Sequence, residues 1–444
     1  MALTNLCGTA FTVLRQIEPV LVLEQLGSTL FDTALQMVVK DRSENATYPD
    51  AHLSREESQQ KAMSDYYMIY NLINKLTPIL PAMLLARIGD RGWRRVPIVV
   101  PLSGYLMSRL ALLLVVIFRL PLEVMFGAAV LFGLSGGFCA YWPGVMTLAS
   151  LGSTAADRSK VIMRVELLYG TAGLVASLVS GHLFLLYSSS LGNGTVLLSV
   201  STLLHLLCLM HSIFLLQVKL EPTNEPEENC QIMSPDSING PVAPFVINKV
   251  NVALLFAAAV LYLSAVGGAI EILGIFVLKE PLNWTATQVG YGNAAGCMIF
   301  ITSYLGVMVF RRCVSDVMLI LIGMISFASG IFFMSFVTST YTFYLARSLN
   351  LFALIPLPTI RSLLSLQVPA SSCGTTLTFL QLALKFPGLA YIPAFTKIYQ
   401  GTLNWFPGFV FTLASILAFL AMIPISIFGC RSPLRRQYDR IQEA

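Results

Sequence analysis

Charge is scarce in this chain. Asp, Glu, Lys and Arg make up 11% of its 444 residues, against roughly a quarter in a soluble domain, whose surface must meet water. Polar–apolar alternation is missing from the long apolar runs, which excludes a membrane β-barrel. A phosphate-binding G-x-x-x-x-G-K-[ST] loop is also missing, which argues against an ATP-driven pump. Zinc-ligand spacings and nucleophile arrangements are absent too, so we expect no enzyme and assign no catalytic residue, no metal and no cofactor beyond a coupling proton. The eight cysteines (Cys7, Cys139, Cys208, Cys230, Cys297, Cys313, Cys373 and Cys430) avoid every predicted outside loop, so no disulfide framework is implied. No cleavable leader is expected, because the first apolar stretch, Ile17 to Val39, is too long and contains Glu18, Glu24 and Asp32.

What is present is apolar length. Hydrophobic residues make up 56% of the chain, and mean hydropathy is +0.73. A hydrocarbon core of about 30 Å takes around 20 helical residues to cross, and lipid offers a backbone no hydrogen-bond partner, so the runs must be helices. The expectation is an all-α polytopic membrane protein of about twelve transmembrane helices. The spans fall at 17–39, 65–87, 96–118, 123–149, 160–187 and 195–217, then 250–277, 286–310, 317–337, 341–365, 373–398 and 405–429. One long polar segment interrupts them, rich in Glu and Pro (Glu221, Pro222, Glu225, Pro226, Glu227, Glu228, Pro235 and Pro241), a composition with little to bury. The divisions are thus a cytosolic N-terminus 1–16, a six-helix half 17–217, a cytosolic linker 218–249, a second six-helix half 250–429 and a cytosolic tail 430–444. This is the layout of a major facilitator superfamily bundle, although counting alone leaves other transporter families open.

Orientation follows from where Lys and Arg collect in short loops. Arg87, Arg91, Arg94 and Arg95 follow the second span, Arg158 and Lys160 the fourth, Arg311 and Arg312 the eighth, and Arg431, Arg435, Arg436 and Arg440 fill the tail, while alternate loops are nearly bare. Both termini are therefore expected in the cytosol. The net charge of +5 is accounted for by this topology, and no nucleic-acid partner is expected. The first outside loop carries Asn45-Ala46-Thr47, a sequon where an oligosaccharide can be added; Asn193 and Asn283 also begin sequons but abut the membrane.

The strongest local motif is Ala86-Arg87-Ile88-Gly89-Asp90-Arg91-Gly92-Trp93-Arg94-Arg95. It resembles the loop between the second and third helices of major facilitator transporters, G-x-x-x-D-R-x-G-R-R, with Asp90, Arg91, Arg94 and Arg95 matching and Ala86 and Trp93 in place of two glycines. A carboxylate beside several guanidinium groups can latch the cytosolic ends of two halves in one state and release them in another. Plain charge anchoring explains the arginines but not Asp90. Ionisable residues inside spans are costly, so each is a functional candidate. Glu166 lies on a small-residue stretch (Gly170, Gly173, Ser177, Ser180 and Gly181) of the fifth span, as a proton carrier or as a partner of Arg164. Arg347, Arg361 and Lys385 are cations suited to an anionic solute, with Pro356 and Pro358 loosening the helix before Arg361. Glu271 follows Gly267-Gly268, where a broken helix would expose backbone groups to substrate. Glu24, Asp32, Lys75 and Arg109 complete the set, some as structural ion pairs.

Several stretches together resemble solute carrier family 46, which contains the proton-coupled folate transporter and the thymic stromal cotransporter. They include Gln288-Val289-Gly290-Tyr291-Gly292-Asn293-Ala294-Ala295-Gly296, Thr359-Ile360-Arg361-Ser362, Asp65-Tyr66-Tyr67-Met68-Ile69-Tyr70-Asn71-Leu72 and Ser180-Gly181-His182-Leu183-Phe184. The similarity covers essentially the whole chain and is strongest to the thymic stromal branch. It implies the major facilitator fold and a proton-coupled importer. By that resemblance the solutes are bacterial muropeptides of the diaminopimelic-acid type and cyclic dinucleotides such as cyclic GMP-AMP, delivered to the cytosol for innate immune sensing. The resemblance also matches Glu166 to a glutamate tied to proton coupling and Arg361 to a helix-10 arginine of the folate branch. Val266 and Leu134 stand where that branch has a histidine and an aspartate, which disfavours folate itself. The expected partners are a small anionic solute and the lipid bilayer, at the plasma membrane with an endosomal pool. A receptor or scaffold that kept a transporter fold, or a carrier of folate-like anions, is the alternative.

Overall fold

The computed structural model describes residues 17–44, 54–151, 158–186, 194–216, 249–310, 313–366 and 384–431. These residues form fifteen helices and no strand. They are α1 (Glu18–Ser43), α2 (Arg55–Leu76), α3 (Ile79–Asp90), α4 (Val96–Ile117), α5 (Val124–Leu134), α6 (Gly137–Leu151), α7 (Arg158–Leu186) and α8 (Thr195–Phe214). Then follow α9 (Lys249–Phe276), α10 (Ala286–Phe310), α11 (Asp316–Met334), α12 (Thr340–Leu349), α13 (Pro356–Leu366), α14 (Pro387–Thr402) and α15 (Phe409–Arg431). Among the described residues, nine segments are long and apolar enough to cross a membrane, with α2–α3 and α5–α6 each counted as one. The sequon Asn45, the linker 218–248 and the termini 1–16 and 432–444 lie outside the described residues.

Helix ends follow local chemistry. The second span begins at Arg55 rather than at 65, because Ser54 and Glu57 form a reciprocal capping box that starts a helix in polar sequence, before the apolar run. It divides at Thr77-Pro78, where proline removes a backbone donor. The fourth span divides at Gly136, whose φ of +91° is a left-handed conformation.

The tenth span is broken between Leu349 and Pro356, and neighbouring helices repair the loss. Ser326 donates to the Leu349 carbonyl at 2.5 Å, Thr302 and Ser303 to the Leu351 carbonyl at 2.7 and 3.0 Å, and Tyr262 to the Ala353 carbonyl at 2.6 Å. Hydroxyls thus stand in for helical donors where lipid supplies none. The seventh span, by contrast, is unbroken: α9 runs straight through Gly267-Gly268. Those glycines serve close packing, since a Cβ on Gly268 would lie 2.6 Å from the Phe395 ring of α14.

Within the first set of helices α1 packs on α7 and α8, and α4 on α5, α6 and α8; within the second, α15 packs on α9 and α11. The two sets meet along α7 against α10 and α2 against α14. The small-residue face of α7 is the contact surface there, as close helix approach in lipid requires. One apolar core runs across both sets near the C-terminal end of α1 (Leu35, Val38, Ile272, Ile275, Trp284), while a separate cluster (Leu21, Ile98, Leu102, Tyr141, Val145) fills the first set at the opposite end. Large apolar side chains remain exposed in stripes, such as Leu206, Leu207, Met210 and Phe214 of α8 and Ile416, Phe419, Leu420 and Ile423 of α15. Lipid is the solvent that such stripes fit.

Candidate functional site

Helix α1 carries a polar residue every fourth position: Glu24, Ser28, Asp32, Gln36 and Lys40. On a helix this spacing makes a stripe that winds slowly round the axis. At its buried start, Glu24 is 1% exposed and accepts a hydrogen bond from Ser28 at 2.7 Å. Arg109 of α4 donates to the same Ser28 oxygen at 2.9 Å and stacks over Phe31 and Tyr105, 4.2 and 4.6 Å from the ring centroids. His205 of α8 is fully buried, holds its Nδ1 2.9 Å from the Ser201 carbonyl and stacks on Tyr105. Glu24 and Arg109 are thus tied together through Ser28.

Asp32, two turns on, is exposed although it sits among interior groups, within electrostatic range of Arg109, Tyr67, Tyr70 and Tyr169. An accessible carboxylate enclosed in this way lines a solvent-reached interior. Glu166, half-buried on α7, interacts through space with Arg361 of α13, which is exposed. Arg164, the alternative partner, is exposed and forms no ion pair with Glu166. Arg347, in the last turn of α12, lies against Gly296 and Cys297 of α10, and its Nε has no partner. Tyr169 makes an aromatic wall with Trp142 and Phe300, at centroid distances of 4.9 and 6.2 Å.

The other assigned residues lie elsewhere. Glu271 is hydrogen-bonded by Asn71 of α2 and sits 4.0 Å from Lys75, so it joins the two sets of helices instead of standing free. Lys385 is half-buried in the turn before α14, and among the described residues it makes no side-chain bond to Arg361 or Glu166. Arg91 is exposed and Arg94 and Arg95 are half-buried beyond α3, with no ion pair among the described residues; Asp90 ends α3 and its side chain lies outside the described residues.

Contacts across the interface gather at the Lys40 end. Lys40 donates to the Asn283 side chain at 2.8 Å, and Glu56 accepts from the Glu280 backbone at 2.9 Å. Lys397 and Gln400 reach Asp65 at 3.1 and 2.8 Å, Tyr399 reaches Gln60 at 3.3 Å, and Gln36 donates to the Gly274 carbonyl at 2.6 Å. The interior is therefore closed at this end. Sequence reading missed these partners and treated the charges of α1 as alike, although the four-residue repeat was visible in it.

Two helical sets closed at one end around an interior that holds acids and guanidinium groups define a secondary transporter of the major facilitator class. The fold matches the major facilitator superfamily transporter FucP in its outward conformation, with a TM-score of 0.59 at 14% identity over 94% of this chain and 98% of that one. No family model matches the chain. It is 40% identical to solute carrier family 46 member 2 of dog, over 96% of this chain and 95% of that protein. A lysosomal proton-coupled steroid conjugate and bile acid symporter of chicken, SLC46A3, is 27% identical over 93% and 92%. The chain belongs to solute carrier family 46. It is a multi-pass membrane transporter of small solutes.

Proposed function

We propose that the protein is a proton-coupled, alternating-access importer of organic anions. Glu166 carries the proton, Arg361 and Arg347 receive the anionic groups, and the halves rock about the bound solute. The observation that carries this reading is the unpaired Glu166–Arg361 arrangement across the interface. Neutralising Glu166 frees Arg361 for an incoming anion, which links proton to solute. The proton-coupled relative from chicken supports the same coupling. The preferred solutes are muropeptides of the diaminopimelic-acid type and cyclic GMP-AMP, delivered to the cytosol for innate immune sensing. Both termini are placed in the cytosol, so the Lys40 end faces outward and Asn45 is the glycosylated position. The protein acts at the plasma membrane with an endosomal pool, and Asp90 with Arg91, Arg94 and Arg95 forms the cytosolic gate.

Uptake of labelled muropeptide into cells at outside pH of about 5.5 and about 7.5 tests the proposal. Faster uptake at the lower pH, abolished by Glu166→Gln, is expected. Equal uptake at both values, unchanged by the substitution, removes the proton role.

A further inference from the structure

Helix α10 carries four glycines, and three of them meet rigid neighbours. A Cβ on Gly290 would lie 2.6 Å from the Ser177 carbonyl oxygen of α7, one on Gly306 would lie 2.8 Å from the Phe352 ring, and one on Gly292 would strike the Trp284 ring. These three serve close packing, as helices in lipid require. Gly296 differs. A Cβ there would lie 2.8 Å from Nη2 of Arg347 and 3.9 Å from its Cζ, and among the described residues no other atom from outside its own stretch of α10 comes within 4 Å. The space left by the missing side chain is filled by a guanidinium group alone.

Arg347 reaches that space from the last turn of α12, just before the break in the tenth span. Its Nε is buried without a partner, and the group forms no ion pair among the described residues. The seat lies beside the seam between the two helical sets, since the Sγ of Cys297, the next residue, is 4.0 Å from the Ser177 hydroxyl of α7. A cation held there is presented to a solute passing between the sets. An arginine side chain is long and flexible, so without a seat it spreads over many rotamers and meets an anion in the right geometry less often.

We propose that Gly296 is a positioning residue for anion recognition: its missing side chain is the seat that holds the Arg347 guanidinium at the seam, ready for a carboxylate or phosphate. The inference rests on the organic-anion reading above, in which Arg347 receives an anionic group. A methyl group at position 296 displaces the free end of Arg347, which moves at little cost, and leaves α10 in place. Alanine also favours helix over glycine. Gly296→Ala therefore weakens the anion site without loosening the fold, the reverse of what overfilling a packed contact does.

Three readouts on the full chain test this. Uptake of labelled γ-D-glutamyl-meso-diaminopimelate into proteoliposomes should show KM raised about tenfold in Gly296→Ala and in Arg347→Ala, at little-changed maximal rate, with no further rise when the two are combined. The melting temperature of Gly296→Ala in detergent should hold or rise. The third readout needs no solute: Cys297 is modified with an anionic sulfonatoethyl or a cationic trimethylammonioethyl methanethiosulfonate, and the product is followed by peptide mass spectrometry. Relative to free cysteine, the anionic reagent should be favoured about tenfold, and Gly296→Ala and Arg347→Ala should each abolish that preference. A lowered melting temperature in Gly296→Ala, an unchanged KM there beside a raised one in Arg347→Ala, or additive effects in the combined variant overturns the inference and leaves the organic-anion reading standing. An unchanged KM in Arg347→Ala overturns the inference together with the anion-receiving role of Arg347. Absent uptake by the unsubstituted protein removes this solute, and a reagent preference that survives Gly296→Ala then overturns the seat on its own.

Discussion

Glu271 decides between two roles, since an intramembrane carboxylate suits substrate contact while its surroundings are those of a latch. Its side chain is 13% exposed, accepts from Asn71 and lies 4.0 Å from Lys75, whose side chain is 40% exposed. Both partners belong to the other helical set. Glu271→Gln keeps the size but removes the charge that Asn71 and Lys75 meet. A hydrogen bond to a buried charge contributes about 2 kcal/mol, whereas the Lys75 contact is half-screened by solvent and adds under about 1 kcal/mol. The conformer closed at the Lys40 end should lose about thirtyfold in population relative to the open one. Electron–electron distance measurements between spin labels at Arg55 and Tyr341, which are exposed on opposite sets, read this directly. A second, longer distance should grow in for Glu271→Gln. An unchanged distribution together with a raised KM would refute the latch and return Glu271 to substrate binding.

Asp65→Asn should act in the same direction but weakly, shifting the same distances by about two- to fivefold in population, because the Lys397 side chain of this pair is 59% exposed. Replacing Thr302 and Ser303 together by Ala strands the Leu351 carbonyl at the helix break; thermal unfolding in detergent should show a loss of about 1–3 kcal/mol. Glu24→Ala removes the carboxylate that meets Ser28 beside buried Arg109, with Asp32 still in range, and stability should fall by about 1–3 kcal/mol in the same assay. Glu24→Gln, which keeps the Ser28 contact, should cost less.

Much of the architecture was legible in the residues. Apolar length located the spans, and the Ser54–Glu57 capping box marks the true start of α2, although an apolar window begins ten residues later. Pro356 and Pro358 announced the break before Arg361, but the hydroxyls of Tyr262, Thr302, Ser303 and Ser326 that make it tolerable come from three other helices. No local pattern predicts such pairings. Gly267-Gly268 misled for the same reason: glycine in a span signals either a break or close packing, and only the position of Phe395 decides. Among the charges, residue type identified candidates and tertiary contact sorted them. Glu271 and Lys75 lie together, while Asp32, Glu166, Arg347 and Arg361 form no ion pair among the described residues.

The central claim is that Glu166 couples a proton to solute movement past Arg361. Proteoliposomes loaded with unlabelled γ-D-glutamyl-meso-diaminopimelate and given labelled compound outside separate exchange from proton-driven accumulation. The account predicts that Glu166→Gln retains solute exchange but no longer accumulates the compound when the outside is made acidic. Accumulation that persists in Glu166→Gln under the same pH gradient would contradict it.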